Sequence, residues 1–325
     1  MNDITDFTQL IDPELLPALQ VPDELQEIIF RDPITARAIF ADRENIDSQL
    51  AIQAEVTISE RIISGPNGDI RLFIYEPATP APRPALLWIH GGGYFLGSAR
   101  DDMFCIPFAD HARCTVVSVD YRLAPEHPFP AGPEDCYSAL QWIASHSDEL
   151  GIDPKRIAIG GASAGGGMAA GVALMNRDRG GVPVVLQLLL YPMIDDSHDT
   201  PSGHAITSLS VWNRKVSLYA WGLYLGNLNG KDVSPYAAAA RATDVSGLPP
   251  TYLCVGTLDL FRDEIITYAQ RLMAANIPTE LVVYPRVTHA AEGLAPDAEV
   301  SYRMRANYID ALKRALAGPS GETFE

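Results

Sequence analysis

Lysine is scarce in this chain, with only four (155, 215, 231 and 313) in 325 residues. Arginine therefore supplies most of the positive charge, and acidic residues outnumber basic ones by 41 to 24. A formal net charge of −17 argues against nucleic acid as a partner. Cysteine is sparse too. Cys105, Cys114, Cys136 and Cys254 form no C-x-x-C pair and no Cys/His spacing suited to zinc. They mostly sit in apolar contexts and read as reduced core thiols, which points to a cytoplasmic protein. Met1 to Asp6 are acidic, without a basic region followed by an apolar one, so no secretory signal is expected. No apolar run is long enough to span a bilayer, so no membrane partner is expected. Internal repeats and low-complexity tracts are missing. What is present is 47% hydrophobic and 20% charged content, the balance of a globular chain with a large core.

Residues 1–50 alternate prolines with short helical patterns (12–20, 23–30 and 33–43) and hold no strand pattern. They read as an N-terminal helical cap segment. The pattern then changes to strands at 54–64 and 70–76, around Gly65-Pro66-Asn67-Gly68, a turn suited to a hairpin. Strands follow at 85–90, 115–120, 156–160, 184–191, 251–256 and 280–284. Helical patterns lie between and after them near 102–112, 133–150, from 164, at 263–275 and at 298–317. A hairpin followed by β-α-β units with apolar strands predicts an α/β fold: a mostly parallel eight-stranded sheet with helices on both faces. Residues 51–325 would form this α/β domain. The stretch from about 196 to 245 is too long for an ordinary connection. Its helical part, 208–225, predicts a cap insertion at about 196–230.

Such sheets bind ligands beyond the carboxyl ends of their strands, and the chemistry-bearing residues gather there. Gly161-Ala162-Ser163-Ala164-Gly165 joins an apolar strand to a helix, which forces Ser163 onto a sharp turn with its hydroxyl exposed. A serine hydroxyl is a weak nucleophile that needs a base, an orienting acid and oxyanion donors. His90-Gly91-Gly92-Gly93 follows its strand directly, so backbone amides can face inward. Asp259 ends the run Tyr252 to Leu258, just past the strand at 251–256, whereas Asp263 and Glu264 fall in the next helix's first turn, where favourable dipole charge accounts for them. His289 follows the last strand and completes the chain order Ser163, Asp259, His289. His90 and His127 read as loop-fixing hydrogen bonders. His111, His146, His198 and His204 read as surface or lid residues. A dinucleotide-binding reading of the glycines fails on spacing.

These residues, with Asp120-Tyr121-Arg122-Leu123-Ala124-Pro125-Glu126 and Thr288-His289, resemble the hormone-sensitive-lipase family of α/β-hydrolases, the bacterial family IV esterases. The resemblance runs from about residue 54 to the C-terminus. The stretches at 162–167 and 247–253 are similar to heroin-esterase-like acyl esterases within that family. It implies an α/β-hydrolase fold with a helical cap and oxyanion donors at Gly92, Gly93 and Ala164. It further implies a carboxylesterase acting on short- to medium-chain acyl esters through Ser163, Asp259 and His289. A lactonase, thioesterase or amidase would use the same three residues. A non-catalytic receptor on this fold would have lost one of them. Three positions depart from the family pattern: Ala162 replaces an acidic residue, and Ala290-Ala291 replace a Gly-Phe pair. Tyr94, Phe95 and Leu96 are expected to face the site. Trp212, Tyr219, Trp221 and Tyr224 come from the cap; most pack it down, and Trp212 and Tyr219 are expected at the substrate. A small-molecule ester is the expected partner, without metal or organic cofactor, and family members suggest a homodimer.

Overall fold

The computed structural model describes residues 7–19, 23–41, 53–207, 212–230 and 232–317. Among these, eight strands form one sheet: β1 Thr57–Gly65, β2 Gly68–Glu76, β3 Arg83–Ile89, β4 Thr115–Asp120, β5 Ile152–Ala162, β6 Leu186–Leu190, β7 Thr251–Gly256 and β8 Thr279–Tyr284. Their spatial order is β1-β2-β4-β3-β5-β6-β7-β8. Gly65 pairs with Gly68, so Pro66-Asn67 is the two-residue hairpin turn. β2 runs antiparallel to β4, and the remaining pairings out to β8 are parallel. The sheet is therefore the mostly parallel one expected from the alternating pattern.

The described helices of more than one or two turns are α1 Asp23–Arg31, α2 Pro33–Ala41, α3 Asp102–Ala112, α4 Ala131–Ser145, α5 Ala164–Asp178, α6 Arg214–Leu225, α7 Arg262–Ala274 and α8 Glu299–Leu316. The inner strands are buried along continuous runs, from Pro84 to Ile89 in β3 and from Ile157 to Ala162 in β5. Strands of that kind need cover on both faces. Trp88 of β3 packs on Phe104 and Phe108 of α3 (ring centroids 5.2 and 5.0 Å), and Phe108 meets Tyr308 of α8 at 5.5 Å.

Two helical expectations are corrected. The stretch 12–20 forms only a 3₁₀ turn, Leu16–Leu19, within its described part; Pro17 lacks the N–H that an α-helix needs. The helix expected at 133–150 ends at Ser145 and restarts as the short Ser147–Leu150. There His146 leaves helical angles, at φ −112° and ψ +23°, while the Trp142 carbonyl takes the His146 N–H, the Ser145 hydroxyl and the His146 ring at 2.9, 3.1 and 3.0 Å.

In the insertion, α6 starts at an Asn213 cap whose side chain accepts from the Val216 N–H at 3.2 Å. Residues 208–211 of the expected helical stretch lie outside the described residues, as do 1–6, 20–22 and 42–50 of the N-terminal segment. The described parts of the two meet. Phe30 of α1 packs edge-on against Tyr219 of α6, centroids 5.1 Å apart, with Lys215 Nζ over its ring. Arg37 of α2 reaches the body, donating to the carbonyls of Phe95 and Ala124 and to Glu126.

Candidate active site

Ser163 stands between β5 and α5 with φ +55° and ψ −120°, backbone angles that L-residues rarely adopt. Its N–H donates to the Leu190 carbonyl, and its own carbonyl accepts from Gly167 and Met193, each at 2.9 Å. The turn is possible because Gly165 has no side chain: a Cβ there would lie 2.0 Å from the Ile89 oxygen.

His289 lies 2.8 Å from Ser163, through Nε2 and Oγ, and 2.7 Å from Asp259, through Nδ1 and Oδ2. With Nδ1–H donating to the carboxylate, Nε2 is free to accept the serine hydroxyl proton. The other Asp259 oxygen accepts the Phe261 N–H at 2.9 Å, fixing the carboxylate. All three residues are nearly buried, so their interactions are little screened by water. Asp263 is engaged elsewhere, by Arg262 and the Ser202 N–H. Glu264 is buried and holds the Ile194 and Asp195 amides; burial raises its carboxyl well above the ordinary range.

The glycine loop curls on itself, with Phe95 and Leu96 donating to the Gly92 carbonyl. Gly92 has φ +110°, and a Cβ there would lie 2.3 Å from the Leu96 oxygen, so the curl requires glycine. His90 braces it. Its ring stacks on Tyr121 at 4.3 Å, Nδ1–H donates to Gly91, and the Tyr121 hydroxyl donates to the His90 carbonyl. Burial pushes the His90 imidazole down to about 4, so it stays neutral. Among the described residues, the amides of Gly92, Gly93 and Ala164 donate to no backbone carbonyl.

A cavity of about 300 Å³ opens onto Ser163 and His289, bounded in part by Gly92, Leu96, Ala162 and Trp212. Of the residues expected at the substrate, Leu96 and Trp212 line this cavity. Tyr94, Phe95 and Tyr219 do not. The curl at Gly92 turns Tyr94 and Phe95 away under the cap. Tyr94 is fully buried, its hydroxyl on the Met193 carbonyl and its ring stacked on Tyr224 at 3.9 Å. Phe95 is fully buried with its ring edge-on to Tyr219, which in turn faces Phe30. Of the two readings of His198, surface or lid, the lid one fits. His198 is fully buried, bonded to the Ser217 hydroxyl at 3.0 Å. His127 is exposed and bonds the loop through its backbone N–H instead of its ring.

Three residues near the site escaped the sequence reading. Asp101 lines the same cavity. Tyr191 sets its ring edge-on to His289 at 5.0 Å and donates its hydroxyl to the buried Glu292 at 2.8 Å. Glu292 lies three residues past His289 in the short helix Ala291–Leu294. Among the described residues no group of three or more His, Cys, Asp or Glu converges as a metal site, and no helix is long and apolar enough to cross a membrane.

A family model described as the alpha/beta hydrolase fold matches residues 86–292, a span that contains Ser163, Asp259 and His289. Esterase LipI of Mycobacterium tuberculosis is 38% identical over 271 residues, covering 82% of this chain and 85% of that protein. The chain is an α/β-hydrolase of the hormone-sensitive-lipase family. Carboxylesterase NlhH of the same species is 34% identical over 310 residues, covering 94% of this hydrolase and 97% of that protein. Among solved structures, a bacterial heroin esterase superposes with a TM-score of 0.88 at 40% identity, covering 95% and 98% of the two chains. Two of the three residues that depart from the family pattern, Ala162 and Ala290, line the cavity of this hydrolase. Ala162 lies beside Ser163, and Ala290 takes left-handed angles, φ +53° and ψ +35°.

Proposed function

We propose that this hydrolase is a carboxylesterase that cleaves short- to medium-chain acyl esters through an acyl-enzyme on Ser163. The observation that carries the reading is the continuous chain from Ser163 Oγ through His289 to the buried Asp259, opening onto a cavity beside the glycine loop. Ser163 attacks the ester carbonyl as His289 Nε2 takes its proton, and Asp259 stabilises the resulting imidazolium. The amides of Gly92, Gly93 and Ala164 hold the tetrahedral oxyanion. His289 then gives its proton to the departing alcohol. Water, activated by the same imidazole, releases the acid. Removing one oxyanion donor typically costs ~100- to 1000-fold in turnover.

The cavity size supports the modest acyl length, since about 300 Å³ stands at the low end of small-molecule sites. The four buried free thiols support a reducing, cytoplasmic setting. The test is a series of p-nitrophenyl esters of rising acyl length, run on the wild-type protein and Ser163→Ala. The wild type should turn over the short and middle members, and the variant none above background. A fluorophosphonate should label Ser163 alone. Retained turnover in the variant would remove Ser163 from its role, and faster cleavage of matched thioesters, lactones or amides would reassign the substrate class.

A further inference from the structure

The catalytic cavity holds one acidic side chain that the ester-hydrolysis reading leaves without a task. Asp101 precedes α3 and occupies its N-cap position, where an aspartate ordinarily accepts from the first-turn amides. Here it makes no such bond. Asp101 lines the cavity instead, with Oδ2 held by the Trp88 Nε1–H at 2.8 Å. Neighbouring Arg100 is committed to Asp102, which also takes the Tyr75 hydroxyl, so it does not serve as the counter-ion of Asp101. Burial accordingly pushes the Asp101 carboxyl up to about 7. An indole N–H fixes the orientation of this group without neutralising it.

We propose that Asp101 is a specificity-determining subsite that selects esters bearing a cationic nitrogen, a substituted ammonium placed in the cavity beside the scissile bond. The proposal rests on the ester-hydrolase reading and adds the charge of the substrate to it. A cation entering the cavity would supply the counter-ion that the folded chain withholds, in surroundings where water screens little. The remaining walls are suited to the methyl groups of a substituted ammonium: Leu96, Met103, Phe104 and Trp212 line the same cavity with apolar surface and aromatic rings.

The experiment compares kcat/KM at pH 8 for two matched pairs, in which a trimethylammonium group is replaced by its uncharged tert-butyl isostere. On the alcohol side these are 2-(trimethylammonio)ethyl acetate and 3,3-dimethylbutyl acetate. On the acyl side they are phenyl 4-(trimethylammonio)butanoate and phenyl 5,5-dimethylhexanoate. The wild-type protein should favour the cation in at least one pair, and Asp101→Asn should lower that cationic-to-neutral ratio by about tenfold or more. Because the ratio is the readout, a general loss shared by both esters cancels. A wild-type preference for the neutral ester in both pairs overturns the proposal whatever the variant does. So does a ratio that Asp101→Asn leaves unchanged. Turnover of the neutral esters with either of those results leaves ester hydrolysis standing. Failure to cleave any of the four overturns both readings.

Discussion

Ala290 carries left-handed backbone angles one residue after the catalytic histidine candidate, where the family usually has glycine. Left-handed angles cost a side-chain-bearing residue about 1–2 kcal/mol, and glycine gives back part of that through its freer unfolded chain. Ala290→Gly should therefore raise the free energy of unfolding by roughly 0.5–1 kcal/mol. Urea denaturation measures this, with Ala291→Gly inside the following helical turn as a control that should lose stability. A lower midpoint for Ala290→Gly would show that the methyl group's packing outweighs the strain. His198 tests a different residue-scale property. Its ring is sealed between Ser217 and Phe261, and burial pushes its imidazole down to about 4. The unfolded chain binds a proton near pH 6.5 that the folded chain refuses, so His198 costs nothing above that pH and destabilises the fold progressively from 6.5 down to 4. Buried acids such as Glu264 and Glu292 move the opposite way over the same range. A difference measurement removes them. The stability gap between wild type and His198→Gln should shift against the wild type by on the order of 2–3 kcal/mol between pH 7 and pH 4. A gap that stays constant with pH would mean that the ring takes up its proton while folded.

At the scale of elements, Arg37 of α2 is one of the links that tie the cap to the body. One guanidinium spans the Phe95 carbonyl in the glycine loop, the Ala124 carbonyl and the Glu126 carboxylate, whose proton affinity it lowers. Side chains at this partly exposed pair are screened, so the ion pair itself contributes little. The bonds to two loop carbonyls contribute more. Arg37→Ala should raise the rate of limited proteolysis within the N-terminal segment by about five- to tenfold, while protection of the sheet amides stays as it was. Glu126→Gln, which keeps both carbonyl bonds, should have the smaller effect. Equal effects would place the clamp's strength in the ion pair. The element scale also shows which features the sequence disclosed. β3 and β5 were legible because continuous apolar runs have no other home than a covered parallel sheet. The elbow and its partners were legible because Ser163, Asp259 and His289 each follow a strand end. The break at His146 was hidden, since no glycine or proline marks Ser145-His146-Ser147 and only the angles of His146 report it. The inward reading of Tyr94 and Phe95 failed because adjacency to the glycines does not fix direction. The positive φ of Gly92 does, and nothing in residue order reports that angle. Asp101 was missed for a related reason: as the residue before a helix it reads as a cap, until its side chain is seen to make no capping bond.

Across the whole molecule the excess of acid is the dominant electrostatic fact. Local pairs such as Arg71–Asp120, Arg179–Glu134 and Arg314–Glu280 occupy much of the arginine, and a net charge of −17 is left over the surface. Two salt effects then oppose each other. Screening weakens exposed ion pairs, each contributing about 0–1 kcal/mol. It also weakens the mutual repulsion of the surplus carboxylates, which grows with the square of the net charge and acts over longer distances. The Debye length shortens from ~30 Å at 0.01 M to ~10 Å at 0.1 M, so the long-range repulsion is relieved first while pairs in contact keep most of their attraction. Repulsion should therefore decide the sign. Raising sodium chloride from 0.01 to 0.2 M at pH 7.5 should increase the thermal midpoint by about 2–4 °C, equivalent to ~1 kcal/mol for a domain of this size. Potassium chloride should act alike, because the effect depends on ionic strength and not on a bound cation. At pH 5, where part of the carboxylate surplus is neutralised, the increase should shrink. A midpoint that falls with salt at pH 7.5 would mean that the paired arginines contribute more to this fold than the unpaired acids take from it.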